Sequence, residues 1–186
     1  MLEVEIEMIQ EILIEHGYKF IKFLGSGSFS NVFLCESIKY HQQFAVKRAI
    51  KHKISEDEYK TLISLNHPNV IQLYDAFEDD ESQFLIMEYC QNGTLSKKGR
   101  LSYENFIYYA KQILESLHFC HSKNIAHRDI KPDNIFIDQY DHIKLGDFGL
   151  SRQFDDKRKS SDKCGSLMLF APEMFQLTEY CPFTTD

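Results

Sequence analysis

The spacing of apolar residues at the start of the chain is that of an amphipathic helix. Leu2, Ile6, Ile9 and Leu13 recur at intervals of four and three residues, with glutamates between them, and the pattern stops at His16-Gly17. We interpret this apolar face as one that packs on the neighbouring domain. A docking helix for a partner protein is the alternative, but two heptads are short for a coiled coil.

From Tyr18 to Glu88 the pattern changes to short runs rich in β-branched and aromatic residues, which predicts strands. One helical interruption is predicted at Glu56–Leu65. The predicted strands are Tyr18–Leu24, Asn31–Ser37, Phe44–Ala49, Val70–Phe77 and Phe84–Glu88.

The helical spacing returns over Tyr103–Lys123 and is followed by two short predicted strands, Ile135–Ile137 and His142–Leu145. The apolar face predicted for this helix contains Phe106, Tyr109, Ile113, Leu117 and His121. The polar, glycine-containing segment Gln91-Asn92-Gly93-Thr94 favours a hinge between a sheet-rich first half and a helical second half.

The composition narrows the class of protein. The chain has 186 residues, of which 43% are hydrophobic and 26% charged, as in ordinary folded domains. A formal charge of -7 argues against general nucleic-acid binding, which needs a basic surface. The five cysteines are scattered, and they fit neither a disulfide framework nor a zinc site. His118 and His121 are interpreted as packing residues rather than as metal ligands.

The sequence favours a location in the cytoplasm. No basic run precedes the first apolar residues, as it would in a signal peptide, and no segment approaches the ~20 apolar residues of a membrane span. We therefore expect no membrane interaction. A nuclear location is also compatible with these features.

Two glycines between the first two predicted strands form a candidate phosphate-binding turn. Backbone N–H groups can approach phosphate oxygens at Gly25-Ser26-Gly27-Ser28, because glycine has no side chain. A hairpin turn is the alternative reading of this motif alone.

A lysine on the third predicted strand is a second candidate. Lys47 lies in a run that otherwise reads as buried, and a buried lysine needs a partner. Glu58, on the following helix, is the expected partner, although Glu56 and Asp57 are close in sequence. A lysine on an exposed strand edge is the alternative.

The strongest signal is a set of three motifs in fixed order. Ala126-His127-Arg128-Asp129-Ile130-Lys131-Pro132-Asp133-Asn134 is followed by Asp147-Phe148-Gly149 and then by Ala171-Pro172-Glu173. With this set, the chain resembles the eukaryotic protein kinase family over Tyr18–Asp186. It looks most like the calmodulin-dependent group, through His67-Pro68-Asn69, Glu88-Tyr89 and Cys164-Gly165-Ser166. The usual third glycine of the family's glycine-rich loop is Ser30 here.

The resemblance implies an α+β, bilobal fold and a division of the chain. Residues 1–17 form the acidic helix and 18–186 an incomplete kinase domain. Within that domain, 18–89 are the β-rich N-lobe with one regulatory helix, 90–94 the hinge, and 95–186 a partial, mainly helical C-lobe.

The resemblance also implies the chemistry, which is transfer of the γ-phosphate of ATP to a serine or threonine hydroxyl of a protein. Phosphoryl transfer depends mainly on positioning and charge neutralisation. Asp129 would orient the hydroxyl and accept its proton, and Lys131 would neutralise charge on the γ-phosphate. Asn134 and Asp147 offer the hard oxygen ligands that Mg²⁺ prefers.

Further residues are implied to bind the nucleotide. Lys47, held by Glu58, would contact the α- and β-phosphates. Met87 stands at the gatekeeper position, and the Glu88 and Cys90 backbones would meet adenine. Thr94 replaces an acid found in many relatives, which weakens the case for a basic substrate, although Asp133 is acidic at a second such position. The remaining positions implied to line the nucleotide are Leu24, Gly25, Ser26, Gly27, Ser28, Val32 and Ala45.

The segment from Ser151 to Leu169 resembles an activation segment, which an activating kinase or autophosphorylation would modify. Arg128 is expected to pair with a negative charge there. Asp162 would partly supply that charge, with Ser161 adding to it, and Ser160 is a further available hydroxyl. Ser166 is expected to contact Asp129 and Lys131 rather than to receive phosphate.

The end of the sequence leaves two interpretations. Asp186 matches the aspartate that opens the family's central C-lobe helix, and an arginine partner for Glu173 would lie further on. An enzyme is favoured, because Lys47, Asp129, Asn134 and Asp147 are all present. The alternative is a non-catalytic module that binds nucleotide or a partner through residues 1–90.

Overall fold

The structure, a computed structural model, describes residues 3–27, 30–51, 56–155, 159–176 and 178–186. The chain divides into two compact units, one formed by residues 1–54 and 73–89 and the other by 55–72 and 90–186. Residues 55–72, which fall within the predicted N-lobe 18–89, group with the second unit. The described part of the chain has no helix long and apolar enough to cross a membrane.

The first unit is a five-stranded antiparallel sheet with one helix. The strand order is β1-β2-β3-β5-β4, and every neighbouring pair is antiparallel. Because side chains alternate between the faces of a sheet, this register gives the unit two distinct faces. The elements are α1 (Glu3–Glu15), β1 (Tyr18–Ser26), β2 (Ser30–Ser37), β3 (Gln43–Ile50), β4 (Leu73–Glu78) and β5 (Ser82–Glu88).

Helix α1 packs on one face of this sheet. Ile9 and Leu13 are 1% and 0% exposed, and they join a buried cluster with sheet residues. At the polar edge, Arg48 of β3 lies 3.3 Å from the Glu5 carboxylate and donates to Ser82. The apolar face of α1 is thus used within the chain, as the favoured interpretation expected. The sheet residues of the cluster are Phe33, Cys35, Phe44, Val46, Phe84 and Ile86.

The packing of α1 makes a prediction about stability. Leu13→Ala should lower the free energy of unfolding by about 2–5 kcal/mol, because it removes a fully buried side chain and leaves a cavity. Ile14→Ala is the matched control, since Ile14 is 57% exposed. It should change the free energy by less than about 0.5 kcal/mol. Equilibrium denaturation in urea measures both, and equal losses would contradict the packing described.

The second unit combines helices with short two-stranded ladders. Strands β6 and β9 pair antiparallel, as do β7 and β8. Together with the first unit, these elements confirm the α+β class. The elements are α2 (Glu56–Ser64), α3 (Tyr103–Ser122), β6 (Ile125–Ala126), β7 (Ile135–Ile137), β8 (Ile143–Leu145), β9 (Arg152–Gln153), α4 (Pro172–Gln176) and α5 (Pro182–Thr185). Short 3-10 helices lie at Leu95–Lys97, Pro132–Asn134, Phe148–Leu150 and Leu167–Leu169.

The buried face of α3 differs from the one predicted. Ser102 begins the helix, its hydroxyl accepting from Asn105 N at 3.3 Å. Phe106, expected in the core, is 56% exposed, whereas Gln112 and Ser116 are buried. The polar pair is tolerated because its hydrogen bonds are satisfied within the protein. The buried residues of the helix are Tyr109, Gln112, Ser116, Leu117 and Cys120.

The strand predicted at Val70–Phe77 begins three residues late, as β4 at Leu73. Residues 70–72 belong to the second unit instead. There, Val70 forms an isolated bridge with Leu145, and Ile71 N donates to Leu145 O at 2.8 Å. A tertiary contact therefore decides the backbone of this apolar run.

Candidate active site

The loop between β6 and β7 carries the predicted catalytic residues, and the Asp186 side chain anchors its start. The carboxylate of Asp186 accepts from His127 N at 2.8 Å and from Arg128 N at 2.7 Å. It also lies 3.0 Å from His121 Nε2 and is 1% exposed. A buried carboxylate thus holds two successive backbone amides in place.

The buried ring of His127 joins this loop to the segment before Asp147. Its Nδ1 accepts from Asp129 N at 3.3 Å, so Nε2 carries the proton and donates to Gly146 O at 2.9 Å. Burial lowers the pKa of His127, which favours the same neutral form. His127 is therefore a positioning residue.

The carboxylate of Asp129 is the centre of a hydrogen-bond network. Its Oδ2 accepts from Lys131 Nζ at 2.6 Å and from Asn134 Nδ2 at 2.9 Å. Its Oδ1 accepts from the Ser166 amide at 3.0 Å and from the Ser166 hydroxyl at 2.9 Å. Lys131 Nζ also lies 3.2 Å from Ser166 Oγ. The contacts predicted for Ser166 are present.

This network keeps Asp129 ionised. Partial burial raises the pKa of Asp129, but the hydrogen bonds from Lys131, Ser166 and Asn134 outweigh it, and the net pKa lies below its usual range. The stability that these hydrogen bonds to Asp129 contribute is present above the usual pKa of an aspartate. It is lost as the pH falls through the lowered pKa of Asp129. At neutral pH, Asp129 therefore presents a carboxylate that can accept a hydrogen bond from a hydroxyl.

Asn134 and the segment leading to Asp147 are held together through the backbone. Gly146 N donates to Asn134 O at 2.9 Å, and the Asn134 amide nitrogen also donates to Asp129 O at 2.8 Å. A Cβ at Gly146 would lie 2.8 Å from the Phe136 ring, so this packing requires glycine. Asp147 adopts a left-handed backbone with φ of 56°, a conformation that is uncommon outside glycine and often marks a functional site.

The first unit places several predicted nucleotide-binding residues on one face of its sheet. In the register, Val32 pairs with Lys47 and Ala45 pairs with Met87. Lys47 and Ala45 are two residues apart on β3, so all four share a face. It is the face opposite to the one that α1 covers, because Phe44 and Val46 alternate with them.

The predicted phosphate-binding turn is only partly within the described residues. Gly25 pairs with Val32, and Gly27 N donates to Ser30 O at 2.7 Å across the turn. Leu24 and Ser26 are the neighbouring residues of β1. Ser28 lies outside the described residues.

The family model described as "Protein kinase domain" matches residues 18–186. The chain belongs to the protein kinase family. Helix α1 lies outside the matched residues, and the three motifs lie within them.

Curated proteins similar to this chain are named as kinases. The chain is 34% identical over 173 residues to CBL-interacting serine/threonine-protein kinase 10 of Arabidopsis thaliana. This match covers 86% of this chain and 36% of that protein. The chain is 32% identical over 173 residues to NUAK family SNF1-like kinase 1 of Homo sapiens, covering 87% of this chain and 26% of that protein. The chain thus spans less than half the length of these relatives.

Lys47 and Glu58, which are predicted to form an ion pair, belong to different compact units of the kinase domain. Glu58 is 2% exposed on α2, where a buried carboxylate requires a partner. Their pairing remains a prediction, as do the adenine contacts of Glu88 in the first unit and of Cys90 in the second.

In the segment predicted to be the activation segment, residues 151–169, the charge pairing differs from the predicted one. Asp162 pairs with Arg152 at 3.0 Å, not with Arg128 as expected. Arg128 Nε donates to Leu150 O at 2.7 Å, and its Nη1 atom is buried without a hydrogen-bond partner in the described structure. Arg152 lies on β9, which pairs with β6, and its guanidinium reaches the Asp162 carboxylate from there.

The serines predicted as available hydroxyls also differ from one another. Ser160 is buried, and its backbone bonds twice to Tyr180 while its hydroxyl accepts from Asp162 N at 3.2 Å. Ser161 is exposed. In this arrangement Ser161, and not Ser160, offers a hydroxyl to solvent.

Four residues that hold the site together were not predicted as site residues. His127 and Asp186 act through buried hydrogen bonds, and Gly146 and Gly165 through close backbone approaches. A Cβ at Gly165 would lie 2.4 Å from Arg128 O. His127, Gly146 and Gly165 lie within or beside the motifs, and Asp186 matches the aspartate that opens the family's central C-lobe helix. Position in the sequence alone does not show that such a residue holds the site together.

Proposed function

We propose that this chain transfers the γ-phosphate of ATP, in line, to serine or threonine hydroxyls of protein substrates. The observation that carries the proposal is the Asp129 carboxylate, which accepts hydrogen bonds from Lys131, Asn134 and Ser166 at 2.6–3.0 Å. These bonds hold the pKa of Asp129 below its usual range. Such a carboxylate can orient a substrate hydroxyl and take its proton as the new P–O bond forms. Lys131, beside it, can neutralise charge on the transferred phosphoryl group.

The nucleotide contacts are proposed from the family resemblance and from the register of the sheet. Lys47 would bind the α- and β-phosphates, and the glycine turn at Gly25 and Gly27 would approach them with backbone N–H groups. Adenine would meet Met87 and the Glu88 and Cys90 backbones. The shared face of Val32, Ala45, Lys47 and Met87 supports this assignment.

Mg²⁺ fits the oxygen atoms that the chain offers. The side-chain amide nitrogen of Asn134 donates to Asp129, which leaves the side-chain oxygen Oδ1 of Asn134 as the ligand atom. Asp147 provides a carboxylate. The bond from Gly146 N to Asn134 O keeps the two segments adjacent. When bound, the ion supplies charge neutralisation at the phosphates.

Serine and threonine are the proposed acceptors. A lysine at position 131 is typical of serine/threonine kinases rather than of tyrosine kinases. The similar protein CBL-interacting serine/threonine-protein kinase 10 is named accordingly. The Ser166 hydroxyl bonds to Asp129 and lies near Lys131, so it links the activation segment to both reacting groups.

Phosphorylation of Ser161 is the proposed regulation, by an activating kinase or by autophosphorylation. Ser161 is exposed, and the buried Arg128 Nη1 atom lacks a hydrogen-bond partner in the described structure. A phosphate on the activation segment would offer such a donor strong acceptor oxygens.

Transfer of labelled γ-phosphate from Mg-ATP to a generic serine/threonine substrate tests the function. Asp129→Asn should lower the transfer rate by about 10²–10⁴-fold, because it removes the proton acceptor but keeps the side chain's shape. The matched control is Asp80→Asn, an exposed position in a bend, which should retain the rate. Transfer that survives in Asp129→Asn would exclude this role for Asp129, and no transfer from the unmodified chain would leave it a nucleotide- or partner-binding module.

A further inference from the structure

Tyr180 is a buried tyrosine between α4 and α5 that takes no part in the catalytic or nucleotide-binding groups described above. It is only 4% exposed. Burial raises the pKa of its hydroxyl, which therefore keeps its proton at neutral pH and can donate a hydrogen bond. A buried hydroxyl needs a partner, and this one has its partner in the predicted activation segment.

Three hydrogen bonds join Tyr180 to residues 160–162. Ser160 N donates to Tyr180 O and Tyr180 N donates to Ser160 O, both at 2.9 Å, which makes an isolated antiparallel bridge. The Tyr180 hydroxyl donates to Asp162 O. Ser160 is itself 6% exposed, and its hydroxyl accepts from Asp162 N at 3.2 Å. Tyr180 therefore holds the backbone on both sides of Ser161.

Residues 162–166, which we call the linking segment, run from this contact to the Asp129 carboxylate. At one end, Asp162 O accepts from the Tyr180 hydroxyl. At the other end, the amide and the hydroxyl of Ser166 donate to Asp129 Oδ1 at 3.0 and 2.9 Å. Tyr180, Ser166 and Asp129 also line one small cavity. Because the linking segment is so short, a displacement of Asp162 is carried to Ser166.

The ion pairs beside this contact are exposed. The side chains of Arg152 and Asp162 are 52% and 59% exposed, and those of Lys159 and Glu179 are 64% and 58% exposed. Ion pairs in water contribute little to stability, whereas a hydrogen bond from a buried hydroxyl is costly to lose. The hydroxyl of Tyr180 is therefore a stronger restraint on residues 160–162 than either ion pair.

We propose that Tyr180 is a positioning residue for phosphate transfer, whose hydroxyl acts through the linking segment to keep Ser166 bonded to Asp129. This role rests on the proposed function, since it gives Tyr180 a part in that same reaction. The hydroxyl contacts Asp162 O and none of the reacting groups. Because the contact involves no phosphate, it holds this end of the activation segment even before Ser161 is modified.

Tyr180→Phe in the full, phosphatase-treated chain tests the hydroxyl alone, because the ring and the backbone bridge remain. In amide hydrogen exchange followed by NMR, the Ser166 amide should exchange about tenfold faster, the effect of losing one hydrogen bond. The Ile143 amide, which donates to Gln112 Oε1 at 3.0 Å in the same unit, should keep its rate. Tyr140→Phe is the matched control, since Tyr140 is 71% exposed, and it should leave both amides unchanged.

The kinetics of phosphate transfer give a second readout. The kcat of Tyr180→Phe should fall by about tenfold, which is less than the roughly 100-fold cost of a displacement of about 1 Å. The KM for ATP should stay within about twofold, because Tyr180 is not among the residues proposed to bind the nucleotide. A tyrosine that only stabilised the fold would lower the folded fraction, and correcting kcat for that fraction, measured by urea denaturation, would restore it.

Equal acceleration at Ser166 and Ile143 would overturn the proposal, because the hydroxyl would then stabilise the whole unit. So would an unchanged Ser166 amide, or a corrected kcat that does not fall. No transfer by the unmodified chain would refute the proposed function and with it the role in transfer. Faster exchange at Ser166 in Tyr180→Phe would still show, in that case, that Tyr180 holds the linking segment.

Discussion

Gly165→Ala is expected to lower phosphate transfer by at least about 100-fold. The added Cβ would lie 2.4 Å from Arg128 O, and the backbone at Gly165 has a φ of +104° that other residues rarely adopt. The atom that the Cβ would meet belongs to the backbone, so one of the two segments must move. That movement would carry Ser166 away from Asp129, and displacements of about 1 Å in an active site cost about 100-fold in rate.

Gly99→Ala separates this clash from the general cost of replacing a glycine. Gly99 also has a positive φ, +69°, but a Cβ there meets no atom within 4 Å. Backbone strain should cost it about 1–3 kcal/mol of stability without changing the transfer rate. Steady-state transfer assays and thermal melting on both variants give the comparison, and a fully active Gly165→Ala would refute the close approach.

Asp186→Ala is expected to destabilise the chain by about 2–6 kcal/mol, since it leaves the amides of His127 and Arg128 without their acceptor. The side chain is 1% exposed, so water does not readily replace it. The rate of phosphate transfer should fall as well, because these two amides lie at the start of the catalytic loop.

Thr184→Ala provides the control, because Thr184 is exposed and lies two residues before Asp186 on the same segment. It should shift the unfolding free energy by less than about 0.5 kcal/mol. Urea denaturation measures both variants, with amide hydrogen exchange at residues 127 and 128 as a local readout. Unchanged protection of these amides in Asp186→Ala would show that other groups hold the loop.

The strands and helices that depend on local pattern could be predicted from the sequence, and those decided by distant contacts could not. Ile135–Ile137 has the predicted bounds, and α3, predicted at Tyr103–Lys123, ends one residue earlier at Ser122. The run at Val70 reads as a strand, yet a bridge to Leu145 takes it into the other unit. Likewise, Phe106 was expected in the core because it is apolar, whereas Gln112 is buried because Asn69 bonds to it at 2.8 Å.

In the candidate site, the sequence could identify the motif residues. It could identify their hydrogen-bond and ion-pair partners only where these are close in sequence or follow the family's pattern. The contact of Ser166 with Asp129 followed from the resemblance and is present at 2.9 Å. The pairing of Asp162 with Arg152 was not foreseen, because two arginines lie within reach and only the path of the segment distinguishes them. The support by Asp186 spans 58 and 59 residues, a separation over which spacing alone carries no information.

The position of α1 outside the matched family residues has a practical consequence for solubility. A shortened chain that begins at Tyr18 would uncover the sheet face of Phe33, Phe44 and Phe84, which is otherwise closed by Ile9 and Leu13. A contiguous apolar face on a sheet promotes association between copies. The acidic helix would then act as a built-in protection against aggregation, and expression of the domain alone should yield less soluble protein than expression of the whole chain.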